Sequence, residues 1–121
     1  MLSDTTAYSD PMTELRKGRL QNANAAPKRG EVVETVAVVS GVRIEQILSG
    51  ELAAPIDYVQ DHDEWVVVLA GGADLVLEEK SFTLSTGEWI LLPGGVPHRL
   101  MSTIPDTSWL VVRAPTEPGR G

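Results

Sequence analysis

The sequence predicts an all-β sandwich or barrel. About nine short segments, rich in β-branched and apolar residues, follow one another at intervals of roughly ten residues, which is the strand spacing of such folds. Clusters containing Gly, Ser or Pro separate them, and no segment after residue 30 shows the 3.6-residue apolar period of a helix. The chain has 121 residues, so we expect one domain with a core of moderate size.

The expected strands can be placed one by one from their β-branched or alternating residues and from the turn residues that end them. They cover 32–39, 42–48, a short stretch around 58, 64–70, 73–78, 82–84, 89–92, 98–102 and 108–113. The segment 64–70 is almost continuously apolar, which predicts a strand covered on both faces. Residues 79–81 are expected at the tip of a hairpin.

Three regions are expected along the chain. Residues 1–30 are polar and interrupted by proline and glycine, which predicts a partly ordered, mostly irregular arm. Asp10 and Pro11 suit the N-cap and first turn of one short helix within it. Residues 31–114 are expected to form the barrel, and 115–121 a flexible tail.

Composition excludes several classes of function. A formal charge of −7 disfavours a nucleic-acid surface and docking on an anionic membrane, since both need clustered Lys and Arg. With no cysteine there is no disulfide, thiolate nucleophile or Cys-ligated zinc. The longest apolar run, 65–72, is too short to span a bilayer. The first residues lack the basic start and apolar run of a signal peptide, so we expect a cytoplasmic protein.

The strongest motif is the run from Gly87 to His98. It reads Gly, five residues, Pro93, one residue, Gly95, two residues and His98. This pattern matches the second motif of the cupin family, and the chain resembles that family from about residue 18 to 113. The resemblance implies a double-stranded β-helix, or jelly-roll barrel, into which His98 points. Together with the small size of the chain, it also implies a homodimer built by sheet contacts and the N-terminal arm.

The first cupin motif is only half present. In the family it is a His-x-His pair, three or four residues, Glu, six residues and Gly; Glu64 and Gly71 fit its second half. Tyr58 and Gln60 stand at the two histidine positions, and the chain is similar to a subgroup of small bacterial cupins in which Tyr-x-Gln replaces His-x-His. The resemblance carries site positions over to Tyr58, Gln60, Glu64 and His98.

A complete cupin site binds its metal through three His and one Glu. The resemblance here implies a degenerate site, in which Gln60, Glu64 and His98 bind a divalent Fe, Mn, Ni or Zn ion. His62 is a further candidate ligand, because in a regular strand it shares a face with Gln60 and Glu64. A bulge would instead turn it outward, where it would be an ordinary exposed imidazole paired with its acidic neighbours.

The tryptophans Trp65, Trp89 and Trp109 fall on expected strands, and we interpret them as core or dimer contacts in preference to ligand-stacking residues.

Three classes of function fit these residues. The first is a metal-assisted enzyme acting on a small organic substrate inside the barrel. The second is a metal-free acid–base enzyme (an isomerase, lyase or cyclase) with Glu64 as base and with His98 and Tyr58 as hydrogen-bond donors. The third is a non-catalytic module that binds or senses a small molecule. The sequence favours residual metal binding narrowly and selects no substrate class.

Overall fold

The computed structural model describes residues 14–115, which contain nine β-strands and one short 3₁₀ turn, Ala23–Ala25. The strands are β1 (Glu31–Val39), β2 (Val42–Ser49), β3 (Ile56–Tyr58), β4 (Glu64–Ala70), β5 (Gly72–Leu77), β6 (Lys80–Ser85), β7 (Trp89–Leu92), β8 (His98–Thr103) and β9 (Thr107–Arg113). The predicted all-β class is confirmed. Most of the helix expected from Asp10, and nearly all of the expected tail, lie outside the described residues.

The strands form two antiparallel sheets that face each other as a jelly-roll barrel. The larger sheet has the order β1-β2-β9-β4-β7, and the smaller has the order β3-β8-β5-β6. Strand β9 therefore lies at the centre of the larger sheet, between β2 and β4, while β1 and β3 are edge strands. Side chains alternate across each strand, so every strand sends one set of residues between the sheets.

The core lies between the two sheets. Its largest buried members come from both of them: Val66, Val68, Leu75, Leu77, Leu84, Leu92, Leu100, Trp109 and Val111. On β4 the buried residues Glu64, Val66 and Val68 alternate with the half-buried Trp65 and Val67. The prediction that this strand is covered on both faces is therefore only partly right, because its outer face keeps substantial exposure.

Two hairpins are closed by two-residue turns in which both central residues have a positive φ. These are Ser40-Gly41, between β1 and β2, and Glu78-Glu79, between β5 and β6. Such turns follow the twist of the strands that they join. The second turn begins one residue earlier than the sequence predicts.

The described part of the N-terminal arm contacts the outer face of the larger sheet at Gln21. The backbone N–H of Gln21 donates to Oε1 of Gln46 at 2.9 Å, and Nε2 of Gln46 donates back to the Gln21 carbonyl at 3.0 Å. Nε2 of Gln46 also lies 3.0 Å from Oγ of Ser108 on β9. The arm thus satisfies a buried amide on the outer face of β2. Between residues 14 and 115 there is no helix long and apolar enough to cross a membrane.

Candidate functional site

A cavity of about 140 Å³ lies between the sheets. Most of its wall is apolar, and the lining includes Val66, Leu75, Leu92, Leu100, Trp109 and Val111. Its polar lining consists of Glu31, Tyr58, Gln60, Glu64, His98 and Arg113. Four of these six are the residues that the second motif and the remnant of the first motif predict. An apolar cavity with a few polar groups is the usual form of a small-molecule site.

Glu64 is the first residue of β4, and it is only 4 % exposed. It points inward because it shares the inward alternation of Val66 and Val68. A carboxylate buried among apolar residues needs a partner, and here Oε2 is in direct contact with Nη1 of Arg113. Nε2 of His62 lies 3.4 Å from the same oxygen. Glu64 thus faces a fixed positive charge.

Arg113 is a site residue that the sequence analysis missed. It is the last residue of β9, in register with Glu64 of β4, and it shares the inward alternation of Trp109 and Val111. Its Nε donates to Oε1 of Glu45, a buried residue in the middle of β2, at 2.7 Å. The side-chain alternation along β9 could have identified Arg113 from the sequence, because it places Arg113 on the same face as Trp109.

His98 and Tyr58 form one wall of the cavity. They are directly paired across β8 and β3, and their rings stack with centroids 5.4 Å apart and planes 16° from parallel. His98 is buried, and its Nδ1 lies 3.4 Å from the carbonyl oxygen of Val96. With the ring proton on Nδ1, directed at that carbonyl, Nε2 is free to accept a proton.

A second missed residue, Glu31, connects an edge strand of the larger sheet, β1, with an edge strand of the smaller sheet, β3. The Tyr58 hydroxyl on β3 donates to Oε1 of Glu31 on β1 at 3.4 Å, and the hydroxyl of the fully buried Ser49 donates to Oε2 at 2.7 Å. Burial raises the pKa of Tyr58 above its usual value, and the Glu31 carboxylate raises it further. The phenol therefore stays protonated and keeps its hydrogen bond over the ordinary pH range.

The loop between β3 and β4 turns His62 away from the cavity lining. The backbone N–H of Gly95 donates to the carbonyl of Gln60 at 2.6 Å, which anchors this loop to the turn before β8. Gly94 lies so close that a Cβ added there would be 3.0 Å from the backbone of His62. His62 is half-buried, with Nδ1 3.0 Å from Oδ1 of Asp61. The regular strand that would have aligned it with Gln60 is not formed.

The arrangement does not fit a divalent ion well. Within residues 14–115, no three His, Asp or Glu side chains come together in a group that could hold a metal. The carboxylate expected as the principal ligand, Glu64, already contacts the Arg113 guanidinium. A cation beside Glu64 repels a second one. Metal binding by Gln60, His62, Glu64 and His98 stays a prediction, as do the catalytic roles of Tyr58, Glu64 and His98.

Comparison with solved structures finds the same architecture in other bacterial proteins. A Ralstonia eutropha protein, assigned provisionally as a mannose-6-phosphate isomerase, is 29% identical, with a TM-score of 0.68 over 81% of this chain and 99% of that one. KdgF from Halomonas sp. is 20% identical, with a TM-score of 0.62 over 73% of this chain and 82% of that one. A Rhizobium leguminosarum protein of unknown function is 19% identical, with a TM-score of 0.66 over 85% and 99%.

Family comparison gives the same answer from sequence. No protein with a curated description matches the chain significantly. The family model for the cupin domain matches residues 43–112, more than half of the chain. This range includes β3, the loop after it and the whole Gly87–His98 run. The chain therefore belongs to the cupin family.

Proposed function

We propose that this cupin binds a small organic molecule in the barrel cavity. The observation that carries the proposal is the distribution of the lining, in which an apolar wall is combined with Tyr58, Gln60, Glu64, His98 and Arg113. A cavity of about 150 Å³ holds a molecule the size of benzene, so the enclosed part of the ligand has roughly six non-hydrogen atoms. The apolar wall would bind its carbon skeleton, and the polar residues would orient it.

The charges favour a ligand without a phosphate. Among the cavity-lining residues, Arg113 is the one Arg or Lys, and two carboxylates, Glu45 and Glu64, already contact it. Phosphate recognition relies on an excess of positive charge from Arg or Lys, or on backbone N–H groups at a helix N-terminus. A phosphorylated sugar of the kind named for the Ralstonia protein would meet the carboxylates of Glu31 and Glu64, and the charge of Arg113 is already offset by Glu45 and Glu64. We therefore do not extend that activity to this chain.

The binding proposal can be tested by filling the cavity. Val66 lines it, whereas the next residue of β4, Val67, is on the opposite face of the strand, so Val66→Phe and Val67→Phe form a matched pair. A thermal-shift screen with small neutral and charged organic molecules should find ligands that stabilise the wild type and Val67→Phe. Val66→Phe should lose this response. Ligands that stabilise Val66→Phe as strongly as the wild type would place the binding site elsewhere.

A second candidate function is metal-free acid–base catalysis of the isomerase, lyase or cyclase type. It is supported by His98, whose Nε2 is available beside the cavity while the Tyr58 ring stacks on its face. His98 is better suited than Glu64 to carry the proton, because Glu64 is engaged by Arg113. With any ligand found in the screen, His98→Gln should abolish turnover but retain binding. Turnover that survives in His98→Gln would leave the binding function alone.

We also propose a homodimer through the outer face of the larger sheet. Near β4 and β7 this face carries Trp65, Val67, Trp89 and Leu91; Trp89 is 59 % exposed, and its ring centroid is 6.1 Å from that of Trp65. The chain has a net charge of −7, so two copies repel each other unless they meet through a part of the surface without charged side chains. This patch has no charged side chain, and two copies can stack on it about a two-fold axis.

A further inference from the structure

The guanidinium of Arg113 is held in the cavity by two carboxylates that come from different strands. Nε donates to Glu45 on β2, and Nη1 contacts Glu64 on β4. Because β9 lies between β2 and β4, its last residue reaches both partners at once. The side chain is 23 % exposed, so the group remains accessible from the cavity that it lines.

The guanidinium keeps donors that these partners do not use. A guanidinium has five N–H groups in a fixed plane, and Nη2 makes no hydrogen bond to any residue between 14 and 115. Two carboxylates hold the guanidinium plane in position, so the Arg113 side chain would lose little conformational entropy when a ligand binds to it. The free N–H groups of Nη2 form a preorganised donor pair for an oxygen atom.

We propose that Arg113 takes the place of a metal ion in this site and binds a carbonyl or hydroxyl oxygen of a neutral ligand. The inference rests on the proposed small-molecule function and names the ligand class. Glu64 faces a fixed organic cation where a divalent ion would otherwise bind, and that cation supplies the positive charge which polarises a ligand oxygen. A neutral oxygen is favoured because Arg113 carries one positive charge and already contacts two carboxylates, Glu45 and Glu64. An anion would add a third negative group beside it.

Divalent metals provide a direct test. The wild type should bind neither Mn²⁺ nor Zn²⁺ in calorimetric titration, and metal analysis after dialysis should find no stoichiometric ion. Arg113→Gln removes the guanidinium that contacts both the Glu45 and Glu64 carboxylates, so an ion in its place would be held by these two carboxylates, by the amide introduced at position 113 and by water. This variant should gain metal binding, and metal at about 100 times its Kd should increase the folding equilibrium constant roughly 100-fold.

Arg43→Gln is the matched control. Arg43 is half-exposed, and its Nη1 lies 3.9 Å from Glu45 on the outer side of this cluster, so its loss removes an arginine without uncovering Glu64. Arg43→Gln should bind no metal, and neither should Arg113→Lys, which keeps a cation. If Arg113→Gln does not fold alone, Mn²⁺ should restore its folding. Stoichiometric metal in the wild type that Glu64→Gln abolishes would overturn the inference, and so would an Arg113→Gln protein that folds but ignores both metals.

Acetamide and acetate test the ligand class, because they share size and shape and differ in charge. Acetamide should shift the NMR signal of the Arg113 Nε–H, and acetate at equal concentration and ionic strength should shift it less. Tighter binding of acetate would overturn the neutral-ligand assignment. If neither probe moves the signal while cavity ligands still distinguish Val66→Phe from Val67→Phe, Arg113 has no part in recognition and the binding function stands without it.

Discussion

Tyr58 and Glu31 join one edge strand of each sheet, because the phenol on β3 donates its hydrogen bond to the carboxylate on β1. This contact closes one side of the barrel beside the cavity. The phenol reaches across the gap between the sheets while its ring remains stacked on His98.

We predict that Tyr58 titrates above the usual range of a tyrosine. A Tyr8→Phe variant leaves it as the sole tyrosine, so that tyrosinate absorbance reports on it alone. Glu31→Gln should lower the pKa of Tyr58 but not return it to normal, because burial is the larger cause. Because folding raises the pKa of Tyr58, the protonated phenol contributes to the free energy of unfolding. This contribution is complete below the pKa of the unfolded state and is lost as the pH rises through the pKa of the folded state. A normal Tyr58 pKa would contradict this interpretation.

Among the polar contacts of the barrel, the ion pair between Glu64 and Arg113 should contribute most to the free energy of unfolding. Glu64→Gln leaves the guanidinium with Glu45 alone and should cost about 3 kcal/mol in urea unfolding, the typical cost of breaking a buried pair. The double variant Glu64→Gln/Arg113→Met should be less destabilised than the sum of its single variants. The exposed pair of Asp57 and Arg99 is the control and should show much weaker coupling. Additive effects at positions 64 and 113 would argue against the contact.

Two neighbouring glycines should have different effects when changed to alanine. Gly94→Ala places a Cβ about 3.0 Å from the His62 backbone and should displace the loop before β4. Gly95→Ala has open space around the new Cβ but a φ of 82°, so it should cost about 1–2 kcal/mol through backbone strain alone. NMR signals of the His62 ring should shift in the first variant and stay in place in the second. Equal shifts in both would show that the loop does not depend on this close approach.

The dimer proposal predicts that Trp89→Lys is monomeric. The wild type should sediment as a dimer at micromolar concentration, and a lysine in the middle of an uncharged interface should dissociate it. Phe82→Lys changes a large apolar side chain, 39 % exposed, on the smaller sheet and should remain dimeric. A monomeric wild type, or a dimer that tolerates Trp89→Lys but not Phe82→Lys, would place the interface elsewhere or remove it.

The strands were predictable because their signals are local. Alternation of side chains, β-branched residues and turn glycines lie within a few residues of the element that they specify, and all nine described strands fall close to their expected positions. The inward positions of Glu64 and His98 follow from the same alternation together with the family motifs. The shorter hairpin at Glu78-Glu79 was misplaced by one residue, since neither glutamate signals a positive φ.

The chemistry around Glu64 was less predictable because it depends on long-range register. The pairing of β9 with both β2 and β4 brings Glu45, Glu64 and Arg113 together. The register of these long-range pairings cannot be inferred from a single sequence. The direction of His62 depends likewise on Gly94, which lies far from it in the chain. The metal ligands were inferred from motif positions, and these did not reveal the guanidinium beside the motif glutamate.

The central position of β9 has a consequence for the order of folding during synthesis. Neither β2 nor β4 can complete its pairing in the larger sheet until residues 107–113 have left the ribosome. The earlier strands must wait with open edges, and barrels built from such distant pairings fold slowly. Because Arg113 arrives with that strand, the charge of Glu64 stays uncompensated in every shorter nascent chain. We therefore expect the barrel to close only after translation has passed β9, with the cavity between its sheets among the last features to form.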